Sequence, residues 1–224
     1  MPPPPSGGPA VSTSPALRRA ATTVCIAGLV LAATATATAP AHAVPPTPIS
    51  AATARSYLAG TTATAETHGD SYDRDLFPTW ITISGTCDTR EWILRRDGTG
   101  VSTNSGCTAT SGTWTSAYDN VVTTNPSTFD IDHLVPLSEA WASGAWAWTT
   151  TRRRAFANDV SAPQLIAVSA SSNRSKGDKD PAQWLPQASY RCTYARAWVQ
   201  VKHDYALTVD STEKSALTTI LNAC

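Results

Sequence analysis

The sequence predicts an α+β fold, a small antiparallel sheet with surrounding helices, stapled by disulfides. Three observations predict it. Short strand-like runs between residues 81 and 115 alternate with turn signals, as in a small antiparallel sheet. Helix-like runs stand on either side of them, at 51–59 and at 211–222. Four cysteines, Cys87, Cys107, Cys192 and Cys224, remain once the first 43 residues are set aside, an even number suited to disulfides.

Residues 1–43 contain no acid, carry Arg18 and Arg19, run through an apolar stretch rich in Ala and Thr, and close on Ala41-His42-Ala43. A basic start, an apolar centre and small residues before a scissile bond predict a cleaved export signal, 1–43, with the cut after Ala43. The strongly apolar part, 24–31, is too short to span a bilayer. The secreted, extracellular product would have no stable membrane association. Residues 44–69 read as a Pro-rich lead-in and a short helix, and 70–224 as one domain. In that domain Cys87 and Cys107 flank a hairpin-like segment and Cys192 and Cys224 bracket the C-terminal segment. Of three connectivities, this arrangement favours 87 with 107 and 192 with 224. A zinc site is disfavoured because no C-x-x-C pair occurs and no His stands at ligand spacing from a Cys.

With 224 residues, 42% hydrophobic and 15% charged, and with eight Trp, the chain can bury a real core and is not a disordered tail. Seventeen basic residues balance 17 acidic ones. Without the signal the formal charge falls to −2, so no global basic field marks a nucleic-acid binder and any such site must be local.

Taken in order, Ser50 is a candidate N-cap for the helix over 51–59, which Gly60 ends. Residues 61–70 are a polar loop. Residues 81–84, 91–95 and 112–115 read as strands, with a turn at Asp97-Gly98. Residues 129–137 read as a further strand and 138–148 as a helix. Residues 152–159 begin a polar connection, 164–168 form a short buried strand, and a helix starts at 171. A last helix runs over 211–222 with Ala216, Leu217, Ile220 and Leu221 on one face. The tryptophans at 141, 146, 148, 184 and 198 read chiefly as core, Glu139 as an exposed helix acid, and Arg90 receives no role.

The chemistry concentrates in Asp130-Ile131-Asp132-His133-Leu134-Val135-Pro136. Alternation on a strand points Asp130 and Asp132 one way and His133 the other, and the two can still converge where the strand ends. A carboxylate suits a hard cation, and a neutral imidazole suits proton abstraction from water. Downstream, Gln164-Leu165-Ile166-Ala167-Val168 feeds Ser171-Ser172-Asn173-Arg174-Ser175-Lys176-Gly177-Asp178. Asn173 could add an amide oxygen to an ion, and Arg174 and Lys176 stand where phosphate oxygens could be gripped.

These residues resemble the HNH endonucleases of the ββα-metal group, including secreted bacterial members and the nuclease domain of Gmr-type modification-dependent restriction enzymes. The likeness extends to Ala140-Trp141, Ser143-Gly144-Ala145, Phe156-Ala157-Asn158-Asp159, Trp184-Leu185-Pro186 and Cys192-x-Tyr194. Upstream it takes in Tyr72-x-Arg74-Asp75-x-Phe77 and Cys87-Asp88-Thr89-Arg90. It implies a ββα-metal (HNH) motif in which Asp132 and Asn173 bind a divalent metal, Mg²⁺ or else Mn²⁺. It also implies His133 as general base and Asn158 as the residue that orients the strand bearing it. The last motif position is Asn rather than His, which favours an oxygen-seeking metal over zinc.

Arg153, Arg174 and Lys176 are the substrate-binding candidates, Arg153 because its spacing to Phe156 and Asn158 matches the family. The expected activity is hydrolysis of DNA, with RNA as a second candidate, leaving a 5′-phosphate and a 3′-hydroxyl. With no reader domain, little sequence preference is expected, from a monomer. The competing reading is a noncatalytic exported module that binds Ca²⁺ through Asp130 and Asp132 and cell-wall sugars through exposed Trp. His133, Asn173 and Lys176 argue against it, since structural calcium needs neither a base nor phosphate-gripping cations.

Overall fold

A computed structural model describes residues 1–4, 7, 8, 10 and 45–224. The chain divides into two units, Met1–Ala39 and Pro40–Cys224, and the second carries the fold. The expected signal and its cleavage site therefore fall almost wholly outside the described residues.

The elements are α1 (Ala51–Gly60), β1 (Thr82–Ser84), β2 (Cys87–Asp88), α2 (Thr89–Asp97), β3 (Thr99–Thr103), β4 (Ala109–Thr115), β5 (Val122–Thr123), β6 (Phe129–His133), α3 (Leu137–Ala142), α4 (Thr150–Ala157), β7 (Leu165–Ser169), α5 (Ala170–Lys176), α6 (Arg191–Asp204) and α7 (Ser211–Asn222). The strands form three small antiparallel sheets, β1-β2, β3-β4-β5 and β6-β7, rather than a single one. Disulfides join Cys87 to Cys107 and Cys192 to Cys224, with Cα atoms 5.1 and 5.7 Å apart. The mixed α+β class and both pairings agree with the sequence.

The antiparallel β6-β7 pair, whose strands are joined through α3 and α4, separates two cores. Asp130 pairs with Val168 and Asp132 with Ile166, so their side chains share the face carrying Ile166 and Val168. That face looks into the larger core with Leu58, Phe77, Tyr118, Phe156, Trp198 and Leu217. The other face puts Phe129, Ile131, Leu165 and Ala167 against Ile93, Leu94 and Trp114. A strand pair covered on both sides explains why β7 is apolar at nearly every position instead of alternating.

Three expectations are corrected. Residues 91–95 lie in α2, not in a strand: the Asp88 carboxylate caps the first turn by accepting from Glu91 N at 2.8 Å, and Arg95 and Arg96 stand in the last. Beyond that helix Gly98 passes so close to the Trp114 indole that a Cβ would lie 2.5 Å from Nε1, which itself donates to Leu94 O. The 152–159 connection is mostly α4, capped by Thr149. The expected helix over 138–148 starts a residue early, at Leu137, and stops at Ala142, because Gly144 takes φ 137° and turns the chain into a short 3-10 turn. The 14-residue α6, not foreseen from sequence, supplies the central packing helix through Tyr194, Ala195, Trp198, Val199 and Val201.

Candidate active site

Strand β6 ends in Asp132-His133, and α5 leaves β7 beside it. Ser169 starts α5 by accepting from Ser172 N, and its hydroxyl with that of Ser172 is tied to Asp119. One turn further along, Asn173 and Lys176 project toward β6. Asn173 Nδ2 donates to Asp130 Oδ2 at 3.1 Å, and Lys176 Nζ donates to Asp132 Oδ1 and to His133 O, each at 2.9 Å. Tyr118 OH donates to the second Asp132 oxygen at 2.6 Å. Burial pushes the Asp132 carboxyl up and the Lys176 charge pulls it back down.

His133 faces the other way, as strand alternation requires. Its Nε2 is 2.9 Å from Ala157 O, and a carbonyl can only accept, so Nε2 carries the proton and Nδ1 keeps the lone pair. Trp80 tilts against the ring with centroids 5.8 Å apart. Burial lowers the His133 pKa to about 4, so the imidazole is neutral near pH 7.

Asp132, His133, Asn173 and Arg174 line one cleft of about 270 Å³ together with Tyr72, Arg74 and Asp178. Arg174 is exposed. The other expected cations sit elsewhere. Lys176 is fully buried and engaged by Asp132 and His133 O, so it cannot reach a phosphate as expected. Arg153 is 9% exposed and turned inward: Nε donates to Leu76 O at 2.9 Å, Nη1 to Trp148 O and Nη2 to Thr150 Oγ1, with the guanidinium over Trp141.

Asn158 stays out of the cleft. Its Oδ1 accepts from Ile81 N at 3.2 Å and Thr89 Oγ1 at 2.7 Å, and its Nδ2 donates to Pro78 O at 2.7 Å and Arg154 O at 2.8 Å. It thus pins the corner next to Ala157, whose carbonyl holds His133. Arg90, left without a role, donates to Phe129 O at 3.0 Å at the start of β6. Glu139 is not exposed: it is 5% accessible and lies 2.5 Å from Lys202 Nζ. Trp141 and Trp198 are buried and Trp146 is 42% exposed. Tyr72 and Arg74 were visible in the sequence only as part of the family likeness.

The donors that a metal would find here are the carboxylate of Asp132 and the amide oxygen of Asn173, a hard set that suits a divalent cation retaining waters. An ion would have to share Asp132 oxygens that already accept from Lys176 and Tyr118. Among the described residues no group of three or more His, Cys, Asp or Glu assembles to hold an ion, so water and Asn173 would have to complete its shell.

A family profile described as GmrSD restriction endonucleases, C-terminal domain, matches residues 88–220. A fungal relative from Arthroderma benhamiae, described as an uncharacterized secreted protein, is 56% identical over 181 residues, covering 80% of this chain and 89% of the relative. No solved structure matches the chain.

Proposed function

The chain belongs to the family of GmrSD restriction endonuclease C-terminal domains, and on that premise we propose that it is a secreted, metal-dependent endonuclease of the HNH type. What supports the reading is the convergence of Asp132, His133, Asn173 and Arg174, from β6 and α5, on one cleft. These residues stand on β6 and on α5, which follows β7, the antiparallel partner of β6; α3 and α4 lie between the two strands, an insertion that the ββα-metal reading has to accommodate. Secretion agrees with the relative's description, and among the described residues no helix is long and apolar enough to cross a membrane.

In this mechanism a phosphodiester of DNA, with RNA as the second candidate, lies in the cleft with a phosphate oxygen against Arg174. His133 takes the proton of the attacking water at Nδ1, while its Nε2–H stays fixed on Ala157 O. A neutral imidazole at pH 7 is ready to do so without first losing a proton. Lys176 holds the backbone of His133 and the carboxylate of Asp132 in one arrangement, which limits reorganisation during the reaction. Asp132 and Asn173 would hold the divalent metal, Mg²⁺ or Mn²⁺, which when bound stabilises charge on the phosphate and on the departing O3′. Asn158 acts through the backbone corner at Ala157 rather than on substrate.

The test incubates the purified, disulfide-intact protein with supercoiled plasmid in Mg²⁺, in Mn²⁺ and in EDTA, beside His133→Ala. Nicking that disappears in EDTA and in the variant is the expected result. A folded protein that cleaves neither DNA nor RNA with either ion would overturn the assignment.

A further inference from the structure

Residues 72–81 form a strap that borders the cleft through Tyr72 and Arg74, and it is held at four points, three of them hydrogen bonds to its backbone and one a buried ring. Arg153 Nε donates to Leu76 O, Phe77 is buried against Trp141 and Phe156, Asn158 Nδ2 donates to Pro78 O, and Asn158 Oδ1 accepts from Ile81 N. Two residues expected to serve the reaction, Arg153 and Asn158, thus fix this strap. Arg74 opens the strap's 3-10 turn, Arg74–Leu76, which the Asp73 carboxylate caps by accepting from Asp75 N.

We propose that Arg74 is a second phosphate-binding group of the cleft, reaching it from the strap while Arg174 reaches it from α5 and His133 lines it from β6. This rests on the nuclease reading above and extends its binding site to a segment upstream of the family match, which begins at residue 88. Arg74 lines the same cleft as His133 and Arg174 and is exposed. Among the described residues neither guanidinium has an ion-pair partner within 4.0 Å, although Asp178 shares the cleft.

Two guanidiniums on separate, anchored elements suit a polyanion with phosphates at successive positions along a chain. Each presents a planar fork to phosphate oxygens. The ligand class is a nucleic-acid strand, which offers the cleft more than one phosphate.

Fluorescence anisotropy with a labelled oligonucleotide, in EDTA so that no turnover occurs, tests this across a salt series. Arg74→Ala is expected to weaken binding about tenfold and to lower the slope of log Kd against log salt by about 1, as loss of one phosphate contact does. Arg74→Lys is expected to keep the slope and recover part of the affinity. Arg95→Ala, on α2 where Arg95 stacks over Trp92, serves as the exposed control and leaves both quantities unchanged. If the parent protein cleaves plasmid but Arg74→Ala binds with the same affinity and slope, the inference fails while the nuclease reading survives. If the parent neither binds nor cleaves nucleic acid, the nuclease reading fails and this inference with it.

Discussion

Two lysines are buried in this molecule, and their surroundings differ in a way that separates scaffold from site. Lys202 joins three helices: its ammonium lies 2.5 Å from Glu139 of α3 and 2.7 Å from Glu213 of α7, and also donates to Thr208 O. Lys176 meets a single carboxylate, Asp132, plus the His133 carbonyl, at the edge of the cleft. With two anions the first network carries excess negative charge, and the Lys202 pKa is raised in spite of burial. The second is matched charge for charge and closed by Tyr118. A buried ion pair mainly fixes geometry, because desolvation offsets much of its attraction. The geometry fixed by Lys202 is the meeting of α3, α6 and α7. The geometry fixed by Lys176 is the carboxylate and backbone beside the proposed base.

The largest effect that could break this comparison is on Lys202. Lys202→Met leaves two buried carboxylates without a cation and should cost about 5 kcal/mol in chemical denaturation. A loss under 1 kcal/mol would show that the three-helix junction does not depend on it. Lys176→Met leaves one carboxylate that still accepts from Tyr118, so a smaller loss of about 3 kcal/mol is expected. It should be joined by a fall in turnover of roughly a hundredfold in the folded fraction, since misplacement of reacting groups by about 1 Å has that effect. Equal turnover per folded molecule would reduce Lys176 to scaffold.

The smallest and most specific effect is on pH dependence. Burial lifts the Glu213 pKa to about 7 from an ordinary 4.5, so the native state holds this proton more tightly than the unfolded chain. That contribution is complete below pH 4.5 and is lost as pH rises to about 7, amounting to no more than about 3 kcal/mol. Glu213→Gln should flatten the decline in stability over this window, whatever it does to the level. Parallel profiles for the two proteins would place the titration elsewhere.

The legibility of the chain in sequence follows the same division. Asp132 with His133, and Asn173 with Arg174, stand in two short motifs, because a strand end and a helix leaving a strand are each local structures with their own periodicity. Their alternation, Asp132 toward Tyr118 and His133 toward Trp80, follows from the two-residue repeat of a strand. The Ser50 cap of α1 was readable for a similar reason, since a cap is made within four residues. The run Glu91-Trp-Ile-Leu-Arg was not readable as helix. Three consecutive apolar residues fit a strand as well, and Asp88 decides only once Ile93 and Leu94 are known to be covered by Trp114.

By itself, then, the sequence determined the strand at 129–133, the strand at 165–169 with the helix that follows it, the mixed α and β composition and the cysteine pairs, all of which depend on neighbours along the chain or on covalent chemistry. The fate of each long cationic side chain was decided only by tertiary structure. Lys176, Arg153 and Arg174 look alike in sequence, yet one ends beside a buried carboxylate, one under the strap and one in the open cleft. A flexible cation follows the nearest uncompensated oxygen, and two of these, Asp132 Oδ1 for Lys176 and Leu76 O for Arg153, come from residues 44 and 77 positions away in the chain. The role of Arg74 is likewise a tertiary product, because the anchors of its turn come from α4 and its corner, and their carbonyl and amide partners carry no sequence signal.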